Sequence, residues 1–346
     1  MRYPARTLTA LAAALFMLAP LSAGAQDDVA AFYKGKAVTI QVGSDVGGQY
    51  DVIARTVASH MGRYIPGQPT VLVQNVPGSG GLKLLNQLYA VGARDGTMIG
   101  AGISGTATGA LLTPGVAKFD PRQFAWIGSA GTETFIVVIT DKARVQTLDQ
   151  LYTQELIIGG SASGSASVDF PVVANAILGT KFKIISGYPA AGPIVKIAMP
   201  AGEVEGCSVY TLSALKSQHE ADWKAGKIKI LAQWGTRKDP EIADVPMFPL
   251  GKTESDRQLF ELLYARQNYG RPYMAPPGVP PARIAALRSA FAAVFVDPAF
   301  KADAEKQRLD VSWISADEMS ALTDRVMATP PDVVARIHAL LPGGGQ

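Results

Sequence analysis

Five stretches of this chain combine glycine with serine, threonine or tyrosine between apolar runs: Gly43 to Tyr50, Asn75 to Gly81, Gly102 to Gly109, Gly159 to Ser167, and Gly187 to Gly192. Glycine lets backbone approach a bound molecule closely, and a hydroxyl donates to an anion without carrying charge. The residues placed to do this are Ser44, Asp45, Gly47, Gly48 and Tyr50; Pro77, Gly78, Ser79 and Gly80; Ser104 and Thr106; Ser161, Ser163, Ser165 and Asp169; and Tyr188 and Pro189. One such turn is ordinary in any doubly wound protein. Five together describe a receptor for an acid group, held by neutral donors.

Other chemistries leave no trace. The histidines His60, His219 and His338 are scattered without ligand spacing, so no metal site is expected. No serine-rich turn has the Gly-x-Ser-x-Gly spacing of a nucleophile elbow. Neither Gly-x-Gly-x-x-Gly after the first strand nor a Walker lysine after Gly81 is present, which disfavours nucleotide and predicts no cofactor. With 32 Lys and Arg against 29 Asp and Glu, there is no basic footprint for nucleic acid. Trp126 and Phe135 read as core, whereas Tyr50 and Tyr188 sit in candidate loops and can offer a hydroxyl or a ring face. Glu203 and Glu205, on a short strand before Gly206, read as structural or rim residues.

The elements that would position these turns alternate strand and helix, the signature of mostly parallel α/β layers. Expected strands cover 37–42, 70–74, 98–102, 156–159, 183–186 and 228–233. Expected helices cover 51–63 with Asp51 as N-cap, 82–90, 168–178, 193–199, 255–264, 281–295 and 298–307. Two extended apolar segments, Trp126 to Gly128 and Phe135 to Ile139, mark a crossing into a second lobe, and Pro-rich 239–249 marks the return. The segment 270–281 reads as a loop, and the tail from Gly343 as too Gly-rich to order. One lobe is therefore expected from 26–128 with 250–346 and the other from 129–249.

At the start, Arg2 and Arg6 precede an apolar run, Leu8 to Leu21, closed by Ala23-Gly-Ala25. That is the pattern of a signal peptide over 1–25, giving an exported protein that begins near Gln26. Loss of the two arginines leaves 30 basic against 29 acidic side chains (32 − 2 and 29), nothing that would draw it to anionic lipid. Cys207 is the single cysteine, so no internal disulfide is available, and it lies too far from the cleavage site to carry a lipoprotein anchor. A free periplasmic protein is expected.

In order along the chain, Phe32-Tyr-Lys-Gly-Lys-Ala-Val-Thr-Ile40, Gly47-Gly48 with Asp51 to Arg55, Asn75 to Gly81, Arg94-Asp-Gly-Thr97, Gly187-Tyr-Pro189, Gly202-Glu-Val-Glu-Gly206, Asp244-Val-Pro246 and Ala275-Pro-Pro-Gly-Val-Pro280 occur. This series resembles the Bug-type receptors, the periplasmic solute-binding proteins of tripartite tricarboxylate transporters, over almost the whole mature chain. The resemblance implies the α/β type II periplasmic-binding-protein fold, two lobes joined by two crossing strands. It also implies capture of a small carboxylate through backbone amides, hydroxyls and waters, delivery to membrane permease subunits, and a monomer without catalytic residues. The first turn departs from the family pattern at Gly43-Ser44-Asp45-Val46, where many members carry an aromatic residue and prolines. A carboxylate at Asp45 suits an amino-bearing ligand better than a plain dicarboxylate, unless Asp45 caps its own turn; Asp169 poses the same choice. Two further functions stay open at this level: a periplasmic dehydratase or lyase using Asp45 or Asp169, and a ligand-presenting partner of a membrane sensor kinase.

Overall fold

In a computed structural model, residues 28–105, 107–161 and 163–341 are described. The expected signal peptide and Gly-rich tail, and Thr106, lie outside them. The strands are β1 (Ala37–Val42), β2 (Thr70–Asn75), β3 (Met98–Ala101), β4 (Ala125–Ser129), β5 (Phe135–Thr140), β6 (Leu156–Gly159), β7 (Phe182–Ile185), β8 (Gly206–Thr211), β9 (Ile228–Gln233), β10 (Pro272–Ala275) and β11 (Ile314–Ser315). The longer helices are α1 (Gln49–Met61), α2 (Leu82–Val91), α3 (Ala166–Leu178), α4 (Glu254–Tyr269), α5 (Pro281–Val296), α6 (Pro298–Lys306), α7 (Ala316–Met327) and α8 (Pro331–Leu340). Among the described residues no helix is long and apolar enough to cross a membrane.

Two sheets form, one in the order β11-β4-β10-β3-β1-β2 and the other β7-β6-β8-β5-β9. Apart from β11 they share one plan. Reading β2-β1-β3-β10-β4 against β7-β6-β8-β5-β9, the fourth place in each holds a strand antiparallel to its neighbours, β10 or β5. Each is the first strand the chain enters after passing from the other sheet. The passage from β4 to β5 occupies only residues 130–134, and the return runs from Trp234 to α4. Since the remaining core strands are parallel to one another, their carboxyl ends and the following turns gather at one edge of each sheet.

The pattern of burial explains why these segments are strands. Phe135–Thr140 is β-branched and aromatic and buried on both faces, while β2, at a sheet edge, alternates exposed and half-buried residues. Between the sheets one apolar cluster takes residues from both: Trp126, Phe135, Phe170, Trp234, Tyr264 and Tyr269 all belong to it.

Several expectations are corrected. Residues 270–281 are not all loop, because Pro272–Ala275 pairs with both β3 and β4 at the centre of the first sheet. Glu203 and Glu205 precede β8 instead of lying on a strand; Glu205 accepts from the N–H groups of Arg144 and Ile157, bracing two neighbouring segments. The helix expected at 193–199 is a single wide turn, Ile194–Ala198, flanked by short α segments. Finally, α4 runs to Tyr269, five residues beyond the expected end at Tyr264.

A capping box starts α4: Thr253 Oγ1 accepts from Asp256 N, and Asp256 accepts in return from Thr253 N. Asp256 also takes the N–H of Lys252 and the Arg336 guanidinium of α8. Burial alone would raise the Asp256 carboxyl, but these donors outweigh it and bring the pKa from 3.8 down to about 2. A folded-state value below the unfolded one stabilises above the unfolded pKa and is lost as pH falls through the folded one. Acid titration followed by circular dichroism should therefore show wild type losing stability between 3.8 and about 2. Asp256→Asn should be less stable at neutral pH and flatter across that window; an unchanged acid limb would refute the assignment.

Candidate functional site

The turns after β1, β2 and β3 sit side by side. Asn75 Nδ2 donates to the Ser44 carbonyl at 3.0 Å and to Asp51 Oδ1 at 2.9 Å, and Gly43 N donates to the Ala101 carbonyl at 3.0 Å. A Cβ on Gly43 would lie 3.3 Å from the Gly81 α-carbon, so the first two turns nearly touch through backbone. In the second sheet Gly187 N donates to the Ser161 carbonyl at 2.9 Å, and Tyr188 N to the Gly160 carbonyl at 3.2 Å.

Asp51 is not the N-cap of α1. The helix starts earlier, with Gly48 as cap, and Asp51 in its first turn reaches back to Gly47 N at 2.8 Å while holding Arg55. Burial works against the Asp51 carboxylate, and the bonds from Arg55, Gly47 and Asn75 lower its pKa on balance. Asp51 thereby braces the turn ahead of the helix and caps none of the helix's own N–H groups, and Asp45 is left exposed at the tip of that turn, its carbonyl bonded by Gly48 N and Ser44 Oγ. Pro77, Gly78, Ser79 and Gly80 are likewise exposed, with Ser79 at φ 48 and Gly80 at φ 59 in a short turn that feeds α2.

The helix starts differ in how they are capped, and α5 and α8, which follow Pro280 and Pro330, carry no side-chain cap and begin away from the turns. At α4, α6 and α7 the N-cap side chains of Thr253, Asp297 and Ser315 satisfy helix N–H groups. At α1 and α2 the caps are Gly48 and Gly81, which have no side chain to do so. An α-helix start that is not capped from within presents N–H donors and the positive end of its dipole to whatever lies before it. At α3 the cap is Ser165, whose hydroxyl meets Ser167 Oγ at 3.1 Å; Ser167 in turn bonds Ser161 N and Oγ. Ser163 is exposed on the same turn.

The two sheets' turns meet at a polar seam. Gln49 Nε2, in the first turn of α1, donates to Ser213 Oγ just after β8 at 3.1 Å. Tyr50 is not in a loop: it belongs to the first turn of α1, donates to Glu133 Oε2 in the first passage at 3.3 Å, and accepts from Ser104 N at 3.3 Å. Burial, reinforced by Glu133, raises the Tyr50 phenol, so it stays protonated as a donor. Glu133 is buried beside Arg271 at 3.6 Å; burial raises its pKa and Arg271 opposes that rise. Arg271 also donates to Ser213 Oγ at 3.3 Å and to the Thr132 carbonyl at 3.3 Å.

A second arginine closes the seam elsewhere. Arg266 of α4 pairs with Asp169 at 3.0 Å and reaches the Gly164 carbonyl at 3.4 Å, while Gly164 N donates to Asp169 Oδ1 at 3.0 Å. Asp169 thus both steadies the turn before α3 and neutralises Arg266; burial raises its pKa and Arg266 opposes the rise. Tyr188 spends its hydroxyl on Glu203 at 2.9 Å, and Pro189 is exposed.

Sequence reasoning missed Gln49, Glu133, Ser213, Arg266 and Arg271. All are polar residues without motif spacing, and only the meeting of the sheets buries or pairs them. A pocket of about 410 Å³ opens at the two passages, lined by Glu133, Thr134, Arg237, Lys238 and Gln267 among others. A groove of about 640 Å³ runs beside the exposed edge of β2. Neither receives the uncapped helix starts, which point to the seam as the candidate site.

No family model matches the sequence, and no curated protein matches it. Solved structures do. A TctC solute-binding protein from Polaromonas has a TM-score of 0.64 at 18% identity, covering 88% of this chain and 99% of that one. MatC from Rhodopseudomonas palustris, solved with bound malate, has 0.64 at 18%, covering 87% and 99%. A second R. palustris protein, solved with adipate, has 0.65 at 19%, covering 88% and 97%. With two sheets of one plan, a double passage between them and these likenesses over nearly the full length, the chain has the two-lobed fold of periplasmic solute-binding proteins.

Proposed function

We propose that this chain is an exported receptor that captures a small carboxylate between two lobes and presents it to the membrane permease subunits of a tripartite tricarboxylate transporter. The lobes are 26–128 with 250–346, and 129–249; the protein works as a periplasmic monomer after removal of 1–25. The observation that carries this reading is the pair of uncapped helix starts, α1 and α2, set side by side at the seam where the other sheet's turns arrive. Such a seam favours an anionic group. The malate and adipate held by proteins of the same fold are ligands of that class.

Binding, and not turnover, suits the side chains here. Each buried acid at the seam is already matched, Asp51 by Arg55, Glu133 by Arg271 and Asp169 by Arg266, and none is left free to move a proton to a ligand. Closure over the ligand then follows from contacts made by both lobes at once.

Thermal unfolding of the purified protein tests this. A bound ligand at 100 times its Kd adds about 2.7 kcal/mol, which for a chain of this size raises Tm by about 5 °C. Malate, adipate and related small carboxylates should include at least one that does so. A screen without any shift, on protein that native mass spectrometry finds empty, would sink the receptor reading.

A further inference from the structure

Arg266 is out of place in a seam of neutral donors. It is 6% exposed, projects from the last turn of α4, and lies between the turn after β3 and the turn after β6. On one side its stem packs on Gly105, where a Cβ would come 3.5 Å from Arg266 Cδ and 3.6 Å from Nε. On the other its Nη atoms reach Asp169 and the Gly164 carbonyl. Asp169 gives it only one oxygen, because Oδ1 is committed to Gly164 N. The guanidinium Nε is buried and has no hydrogen-bond partner among the described residues.

A guanidinium keeps its charge and recognises a carboxylate best through two parallel N–H bonds. Asp169 satisfies half of that geometry, and a buried donor left unpaired is disfavoured. Resting on the receptor reading above, we propose that Arg266 is the anchor for one carboxylate of the ligand, with Asp169 holding its place while the seam is shut. The acceptor that completes it enters between Gly105 and Gly164 and takes the free Nε. The helix starts of α1 and α2 supply a separate anion-binding point, so the ligand class is a dicarboxylate. Asp45 is exposed at the tip of its turn, where solvent screens its carboxylate from an anion held at Arg266.

Isothermal titration of the mature protein with short dicarboxylates, from malate to adipate, tests the proposal. For the tightest member, Arg266→Gln should weaken binding about tenfold or more, the scale of a lost charge-assisted hydrogen bond. Asp169→Asn should bind at least as tightly as wild type, because it removes the competing carboxylate and leaves the cation. The double variant, Arg266→Gln with Asp169→Asn, keeps a neutral hydrogen-bonding pair in the fold and should bind as poorly as Arg266→Gln alone. Equal losses in Asp169→Asn and Arg266→Gln would show that the pair only ties the lobes together, and an unchanged Arg266→Gln would remove the anchor outright. A wild type that binds monocarboxylates and no dicarboxylate would overturn the proposal and leave the receptor reading standing; binding of neither would end both.

Discussion

Replacing Gly270 with alanine should lower the free energy of unfolding by about 3 kcal/mol or more, well beyond an ordinary surface change. Gly270 ends α4 at φ 54 and ψ −104, and a Cβ there would fall inside the carbonyl oxygen of Gly131 and 2.9 Å from Thr132 Cα. Both contacts are backbone, so no side chain can turn aside. The approach is forced by the hydrogen bonds around it: Ala130 N donates to the Arg271 carbonyl at 3.0 Å, Arg271 N donates to the fully buried Ser129 Oγ at 3.0 Å, and that hydroxyl donates to the Tyr269 carbonyl at 2.9 Å. The first passage and the start of β10 are thereby one backbone unit, and a methyl group between them must pry it open. Gly202→Ala is the control. It has φ 75 but nothing within 4 Å of its Cβ, so it should cost only the left-handed backbone term of about 1 kcal/mol. Urea unfolding reads both, and a Gly270→Ala midpoint no lower than that of Gly202→Ala would show that the passage is not held in this way.

In the proposed binding cycle, the Gly270 contact lies on the side of the seam that stays shut. Around the passages the lobes share an aromatic cluster, where Phe170 of α3 meets Tyr264 of α4 with ring centroids 5.5 Å apart. Separating those rings would expose apolar surface to water. Along the turns, by contrast, the sheets are joined by polar contacts such as Gln49 to Ser213 and Arg308 to Glu220, which water can replace at little cost. A lobe movement that keeps the first set and exchanges the second leads solvent and ligand to the uncapped helix starts and to Arg266.

Much of this arrangement is legible from the chain alone, because strand periodicity and turn composition are local. The strands Ala37–Val42, Leu156–Gly159 and Ile228–Gln233 stand where β-branched runs between glycines put them. What fails is whatever depends on the other sheet. Pro272–Ala275 is short and bounded by Gly270 and Pro276-Pro277, so it reads as loop; its place between β3 and β4 comes from pairing, not pattern. Gly206–Thr211 carries cysteine, serine and glycine where a strand signal needs branched residues, yet all but Thr211 are buried. Arg266 and Gln267 fall beyond the expected helix end at Tyr264 although α4 continues through them, and Tyr50 reads as part of a loop although Gly48 already starts α1. Asp169 could be suspected from the sequence, but its partner 97 residues away could not.

Trp234→Ala should be the most damaging single truncation, at about 3–5 kcal/mol for removing a large buried ring. Trp234 is 1% exposed at the point where the chain leaves β9 for the second passage. Its indole stacks on Phe248 at 3.7 Å between centroids and 11° between planes, and Phe170 meets it edge-on at 5.5 Å. Nε1 donates to the buried Ser208 carbonyl at 2.6 Å, and its own backbone N donates to the Phe135 carbonyl at 2.9 Å. Alanine therefore empties a space bordered by the rings of its own lobe and, at 6.3 Å between centroids, by Tyr264 of α4, and strips a partner from a buried carbonyl. Trp234→Phe separates these effects: it keeps most of the ring contact and loses the indole N–H, so it should cost about 1–3 kcal/mol, the penalty of an unsatisfied buried acceptor. Chemical unfolding followed by circular dichroism measures both. If alanine cost no more than phenylalanine, ring contact would contribute nothing here and the indole N–H bond to Ser208 would be the whole of what Trp234 supplies.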